Sequence, residues 1–280
     1  MAQYVPMELP YYAPSADLPA PLPTLHDIKN ATEIIQKGFG PTVVGIGPFI
    51  VKYGCRERIQ EAKTMHFIRH HTTVRVPRVY AAYKDPVTRD NYIVMERIHG
   101  QTLLSLWPSL DDARKERICR QIETCLNELR ALPSPGGYCA PGNQPLLSSL
   151  YREIGPANTE AELNDAMIDS YKSKNSDPKH EWSSIYLRRS FAAVLRGNPP
   201  TFCHGDLQTK NIMVSPEDDI VTFIDWEMAG WYPAYWEYVT AGLGAAAVYE
   251  TDWLEWLERI LVPSRNEFAW HMLAYHFQFF

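Results

Sequence analysis

HGDLQTKNIMV at residues 204–214 and TFIDWE at residues 222–227 are the two segments whose reading decides the fold of this chain. They set out a carboxylate, Asp206, an amide five residues on, Asn211, and a second carboxylate fourteen further on, Asp225. Phosphoryl transfer from ATP calls for such a set. An acid orients and deprotonates a hydroxyl, and an Asn and an Asp hold the metal ions that bridge the phosphates. Ile212-Met213-Val214 and Ile220-Val221-Thr222-Phe223-Ile224 read as strands, and Ser215-Pro216-Glu217-Asp218-Asp219 between them reads as a turn. A hairpin there brings Asn211 and Asp225 side by side at its open end.

Each residue alone has a plainer reading. His-Gly-Asp forms hydrogen-bonded turns, Asn is a common loop residue, and Asp often caps a strand. The combination outweighs these readings, because the step from Asp206 to Asn211 equals the one in the kinase pattern HRDxxxxN. As a base, Asp206 would accept the proton of an incoming hydroxyl. Asn211 offers a neutral oxygen and Asp225 a hard anionic one, both suited to magnesium.

HGDLxxxN followed by IDWE resembles the aminoglycoside phosphotransferase and choline kinase-like family, which shares the protein-kinase fold. The continuation Ala229-Gly230-Trp231-Tyr232-Pro233-Ala234-Tyr235-Trp236-Glu237-Tyr238 is similar to that of fungal members. The resemblance spans residues 25–280. It implies an α+β bilobal fold: a small antiparallel-sheet N-lobe with one helix, and a mainly helical C-lobe. It also implies ATP and Mg2+ as cofactors and a small-molecule hydroxyl as acceptor. Lys52, at the end of an apolar strand, would then meet the α- and β-phosphates. Glu61, in the context Glu61-Ala62-Lys63-Thr64-Met65, would hold that lysine, with Glu57 as the alternative partner. Glu96 and Ile98 would contact the nucleotide where the lobes join, and His204 would hold the loop backbone.

Composition narrows the class further. The 280 residues, 45% hydrophobic and 12% aromatic, fit a globular protein with a large core. A net charge of −6 argues against a general nucleic-acid binder. No apolar run is long enough to cross a membrane, and the N-terminus lacks a signal-peptide pattern. Five cysteines without a CxxC pair point to reduced thiols and a cytoplasmic protein, with Cys203 in the core.

The expected organisation is a Pro-rich segment over 1–24, an N-lobe over 25–95, a hinge over 96–101 and a C-lobe over 102–280. Six prolines in residues 1–23 make a loose or polyproline-like segment the default. Leu25–Lys37 reads as a helix. Thr42–Val44 and Phe49–Lys52 read as a hairpin broken at Gly45-Ile46-Gly47-Pro48, and Arg56–His71 as a helix. Pro77–Ala82 and Tyr92–Met95 read as strands. The helix over Asp111–Leu132 has Ser109 as its expected N-cap. Residues 133–160 read as a long loop, and helices follow at Tyr186–Leu195, Trp253–Leu261 and Asn266–Phe279.

Gly38, Gly40, Gly45 and Gly47 do not spell a GxGxxG loop before Lys52. Lys210 reads either as a phosphate contact or as a solvated lysine. Glu153, Glu160, Glu162, Asp165 and Asp169 read either as an attractor for an amine-bearing substrate or as a solvated surface. The aromatic run at 231–238 reads as core in preference to a cage for a quaternary amine. Two readings compete with phosphotransfer: a catalytically silent nucleotide-binding scaffold, and a different reaction on the same fold. These residues specify neither the acceptor nor an oligomeric state.

Overall fold

Strand-forming runs rich in Val, Ile and Tyr dominate the first third of the chain, and they assemble into one sheet. In the computed structural model, which describes residues 5–38, 40–55, 59–174, 181–247 and 252–277, these strands are β1 Tyr11–Tyr12, β2 Glu33–Gln36, β3 Thr42–Ile46, β4 Phe49–Gly54, β5 Val79–Lys84 and β6 Asn91–Glu96. Every pairing is antiparallel, in the order β1-β5-β6-β4-β3-β2. Val51, Ile93 and Val94 on the central strands are buried. Helices α1 Leu25–Lys29 and α2 Gln60–His71 complete this lobe. The inward stripe of α2 is Ala62, Met65 and Ile68, all buried, as the helical spacing dictates.

Two expectations for this lobe are corrected. The N-terminal segment is not loose where it is described. Tyr11 and Tyr12 pair with Ala82 and Ala81, Met7 is buried in the core that contains α2, and Asp17 pairs with Arg78 at 2.7 Å. Strand pairing and apolar burial here offset the entropy that the prolines already restrict. The helix from Leu25 stops at Lys29, capped by reciprocal bonds between Thr24 and Asp27. Residues Glu33–Gln36 instead form the outer strand β2, exposed at every position. An exposed edge strand shows no alternation of burial, so the sequence carries no period-two signal there.

The second lobe begins with β7 Gln101–Thr102, α3 Leu103–Leu106 and α4 Asp112–Arg130. Asp111, not Ser109, caps α4 by accepting from the Arg114 amide. Ile118, Ile122, Leu126 and Leu129 form its buried stripe. The expected loop over 133–160 contains a hairpin, β8 Leu146–Ser148 and β9 Arg152–Ile154. Next come α5 Glu160–Lys174 and α6 Glu181–Val194. Helix α5 went unread in the sequence, although Leu163, Met167 and Tyr171 recur at four-residue spacing and are buried. The chain continues through β10 Pro200–Cys203, β11 Ile212–Val214, β12 Val221–Phe223 and β13 Gly230–Pro233 to α7 Trp236–Ala247, α8 Trp253–Ile260 and α9 Arg265–His276.

Strands β11 and β12 form the predicted hairpin, with Ile212 opposite Phe223 and Val214 opposite Val221. Trp231, Tyr232, Tyr235, Trp236 and Tyr238 are all buried, so the aromatic run is core. Among the described residues no helix is long and apolar enough to cross a membrane.

If the N-terminal segment is an integral part of the core, Met7→Ala should cost about 2 kcal/mol or more, the range for emptying a buried methionine site. Denaturant unfolding measures this. A loss within about 0.5 kcal/mol, as for a surface substitution, would contradict the docking.

Candidate active site

A cleft of about 660 Å³ runs between the β-sheet and the β11–β12 hairpin. Val43, Ile50, Met95 and Ile98 line it from the first lobe, and Met213 and Ile224 from the second. Its polar lining includes Lys52, Lys210, Asn211, Asp225 and Glu227, and, from the first lobe and the junction, Glu33, Glu96, Arg97 and His99. Apolar walls with a small number of placed polar groups are the usual build of a cofactor site.

Lys52 Nζ donates to Glu61 Oε1 and Oε2 at 2.8 and 2.9 Å and to Asp225 Oδ1 at 2.8 Å. Glu61 sits in the first turn of α2 and is 1% exposed. Its Oε1 also accepts from the Trp226 amide at 3.2 Å. One carboxylate thus ties α2, β4 and the segment after β12 together. Glu57, the alternative partner, lies outside the described residues. Burial alone would lower the Lys52 pKa, but the two carboxylates reverse this and keep it fully protonated. Burial pushes the Glu61 carboxyl up, with Lys52 acting against that. Burial also pushes Asp225 up, but Lys52 outweighs it and holds that carboxyl below the ordinary value. Asp225 has φ +66°, ψ +64°, the left-handed region that non-glycine residues adopt at a cost. That conformation turns the chain sharply where β12 ends.

The segment around Asp206 is held by its own polar groups. Asp206 Oδ1 accepts from Gln208 Nε2 at 2.5 Å, and Oδ2 accepts from Asn211 Nδ2 at 2.8 Å. Asn211 Nδ2 also donates to the Asp206 carbonyl at 2.9 Å, and Lys210 Nζ lies 3.7 Å from Oδ2. With Nδ2 engaged in this way, the Asn211 side-chain oxygen is the atom left for another partner. The Ile224 amide donates to the Asn211 carbonyl at 2.9 Å, which places Asn211 beside Asp225. Gly205, at φ +81°, permits the turn, and a Cβ there would come within 2.3 Å of the Met228 carbonyl oxygen. His204 is fully buried, and burial holds its ring neutral. Its Nδ1 accepts from the Asp206 amide at 3.3 Å, so Nε2 is the donor to the Ile224 carbonyl at 3.0 Å.

Glu96 and Ile98 both line the cleft at the junction of the lobes. The Glu96 amide donates to the Arg78 carbonyl at 2.8 Å, and its carboxylate accepts from the Arg78 amide at 3.1 Å. The glycines divide differently from the sequence reading. Gly45 lies within β3, not at its turn, and a Cβ there would overlap the Arg97 guanidinium, which pairs with Glu33 at 2.6 Å across the strand. Gly38 and Gly40 lie in the connection from β2 to β3, which borders the cleft through Gln36 and Pro41.

The acidic residues of the second lobe have structural partners. Asp165 and Asp169 both pair with Arg188, Glu160 holds Asn198, and Glu162 accepts from the Asn158 amide.

Sequence reasoning missed Glu237. It is buried in α7, 2% exposed, and its two oxygens accept from the His204 and Gly205 amides at 2.6 and 3.1 Å. The available signal was a single acid inside a run of aromatic and apolar residues, a placement that demands buried partners. Burial raises its carboxyl to about 7, and the two amides act in the opposite direction. A carboxyl raised in the fold binds its proton more tightly there than in the unfolded chain. Its contribution to stability therefore falls as pH rises from the ordinary value of 4.5 to about 7. Glu237→Gln places an NH2 against one of the two amides, which should cost about 1–3 kcal/mol at pH 5. The gap to wild type should narrow as pH rises through 7. Melts at several pH values check this, and a gap that widens with pH would contradict it.

Comparison with known proteins agrees with this geometry. Residues 55–274 match the Phosphotransferase enzyme family. "Probable choline kinase 1" of Arabidopsis thaliana is 26% identical over 210 residues, which are 75% of this chain and 54% of that protein. "Probable choline kinase 3" of the same plant is 35% identical over 66 residues, 24% of this chain and 19% of that protein. The chain thus spans about half the length, or less, of the curated relatives it matches. Among solved structures, the GDP complex of a mutant aminoglycoside 2′-phosphotransferase-IIIa superposes with a TM-score of 0.59 at 16% identity, covering 88% of this chain and 80% of that one. A ternary complex of a thermostable mutant of aminoglycoside phosphotransferase APH(4)-Ia with ADP and hygromycin B gives 0.58 at 14%, covering 90% and 85%. These likenesses show the protein-kinase-like fold. With the extent of the family match, they lead to one conclusion: this chain is a member of the phosphotransferase enzyme family.

Proposed function

We propose that the chain transfers the γ-phosphoryl group of ATP, taken with Mg2+, to a hydroxyl of a small molecule in the cytoplasm. The observation that carries this reading is the ion-paired Lys52–Glu61–Asp225 set beside Asn211, whose Nδ2 holds the Asp206 carboxylate, with Lys52, Asn211 and Asp225 all lining one cleft. Asp206 is the base. Gln208 and Asn211 fix its two oxygens, so it receives the acceptor hydroxyl proton in a set orientation. The acceptor oxygen forms a bond to the γ-phosphorus as the bond from phosphorus to the bridging oxygen breaks, leaving ADP and a phosphate monoester. Lys52 carries the positive charge for the α- and β-phosphates. The apolar walls from Val43 to Ile98 receive the adenine ring, beside the backbone at Glu96.

The donor set fits magnesium. Asp225 presents a hard, ionised oxygen, Asn211 a neutral one, and Mg2+ is commonly held by one or two carboxylates together with phosphates and water. Bound there, the ion would neutralise charge on the phosphates. The residues themselves hold the nucleotide, orient the hydroxyl and take its proton. A choline or aminoglycoside acceptor belongs to the relatives by name; here the acceptor is a small alcohol.

Asp206→Ala should lower turnover by at least about 100-fold, the low end for loss of a general base. Nucleotide binding should stay within a factor of about two, because Asp206 does not contribute to the nucleotide wall. Single-turnover ATP consumption and nucleotide titration measure the two quantities separately. Unchanged turnover would remove Asp206 from the mechanism.

A further inference from the structure

A second cavity, of about 280 Å³, is lined largely by α2, and of its described lining residues only Pro77 also lines the catalytic cleft. Tyr11 of the N-terminal segment lines it, with His66, Arg69 and His70 of α2 and with Pro77 and Arg78 just before β5. Three chain segments thus bring two guanidiniums and two imidazoles to one concavity, in a protein whose net charge is −6. Among the described residues lining it there is no carboxylate. Asp17 reaches Arg78 from outside the lining, at 2.7 Å, and Val5 presents its carbonyl to a His66 ring nitrogen at 3.2 Å. The two guanidiniums also converge electrostatically. Burial and Glu96 push the Tyr80 phenol up, and Arg78 and Arg69 both act on it in the opposite sense.

Two guanidiniums brought to one cavity favour an anion between them, and among the described residues Asp17 meets only Arg78. A guanidinium presents five N–H donors in a rigid plane, a geometry that matches the oxygens of a phosphate group. Arg78 uses one edge for Asp17 and keeps others for a ligand. The volume accommodates a phosphate group with a small organic remainder.

We propose that this cavity binds a small phosphate-bearing anion, gripped by Arg69 and Arg78. The position gives such binding a consequence. Arg69 lies two helical turns along α2 from Glu61, the residue that holds Lys52. The backbone of Arg78 brackets Glu96, which lines the cleft. An anion joining Arg69 to Arg78 braces the helix and the lobe junction together. The binding step itself does not rest on the phosphotransferase reading.

Inorganic phosphate is the probe. Calorimetric titration of the full chain, with chloride matched for ionic strength, should give saturable phosphate binding. Arg69→Ala should weaken it roughly tenfold or more, as expected for one lost charge-assisted contact. Arg69 is exposed, so the variant should fold, and an unchanged melting temperature verifies this. Lys210→Ala, which removes a half-exposed lysine of the catalytic cleft without touching the buried ion pairs, should leave phosphate binding intact. Absence of saturable binding, equal affinity in Arg69→Ala, or loss of binding in Lys210→Ala alone would each overturn the proposal. The last outcome would place the phosphate in the catalytic cleft.

Discussion

The ion-paired Lys52 is the constraint on which the rest of the structure depends. An ammonium taken out of water at this depth is tolerable only if carboxylates meet it, and here two do. Glu61 comes from α2 and Asp225 from the end of β12, so satisfying one cation fixes the relative positions of both lobes. The left-handed backbone at Asp225 persists because its side chain is anchored in this way. Lys52, Glu61 and Asp225 together carry one excess negative charge, and the nearby Asp206 is met by Lys210 at 3.7 Å. Such a site favours a cation, which is the electrostatic basis for reading it as a magnesium–nucleotide pocket.

A second buried layer holds the loop that carries Asp206. Glu237 grips the two amides before it, and His204 links its backbone to the strand leading into Asp225. Neither side chain needs to touch a substrate. Both are buried polar groups with every strong partner internal, so they rigidify the segment they hold. The aromatic run from Trp231 to Tyr238 provides the dry surroundings in which these bonds operate, and Tyr232 stacks on Trp236 at 4.9 Å.

Much of this was legible because the chemistry is concentrated in short motifs with fixed spacing. The hairpin linking Asn211 to Asp225 followed from β-branched runs around a Ser-Pro-Glu-Asp-Asp turn. Lys52 and Glu61 lie on separate elements nine residues apart, and their meeting is visible in the fold. What stayed hidden depended on contacts distant in sequence. The strand β2 is exposed on an edge and has no burial period, so nothing in its sequence separates it from the helix that precedes it. Docking of Met7 and Tyr11 requires a sheet edge and a helix face that assemble only in the tertiary structure. Glu237 stands out in sequence as an acid within an apolar run, but its partners, the amides 33 and 32 residues away, are set only by the fold.

The most direct test of the account is the thermal stability of wild type and Asp225→Asn with ATP, each with and without magnesium. A ligand at a hundredfold excess over its dissociation constant stabilises by about 2.7 kcal/mol. The account predicts a magnesium-dependent rise in melting temperature for wild type that Asp225→Asn abolishes. No rise with ATP and magnesium, or an equal rise in the variant, would contradict a metal–nucleotide site built on Asp225.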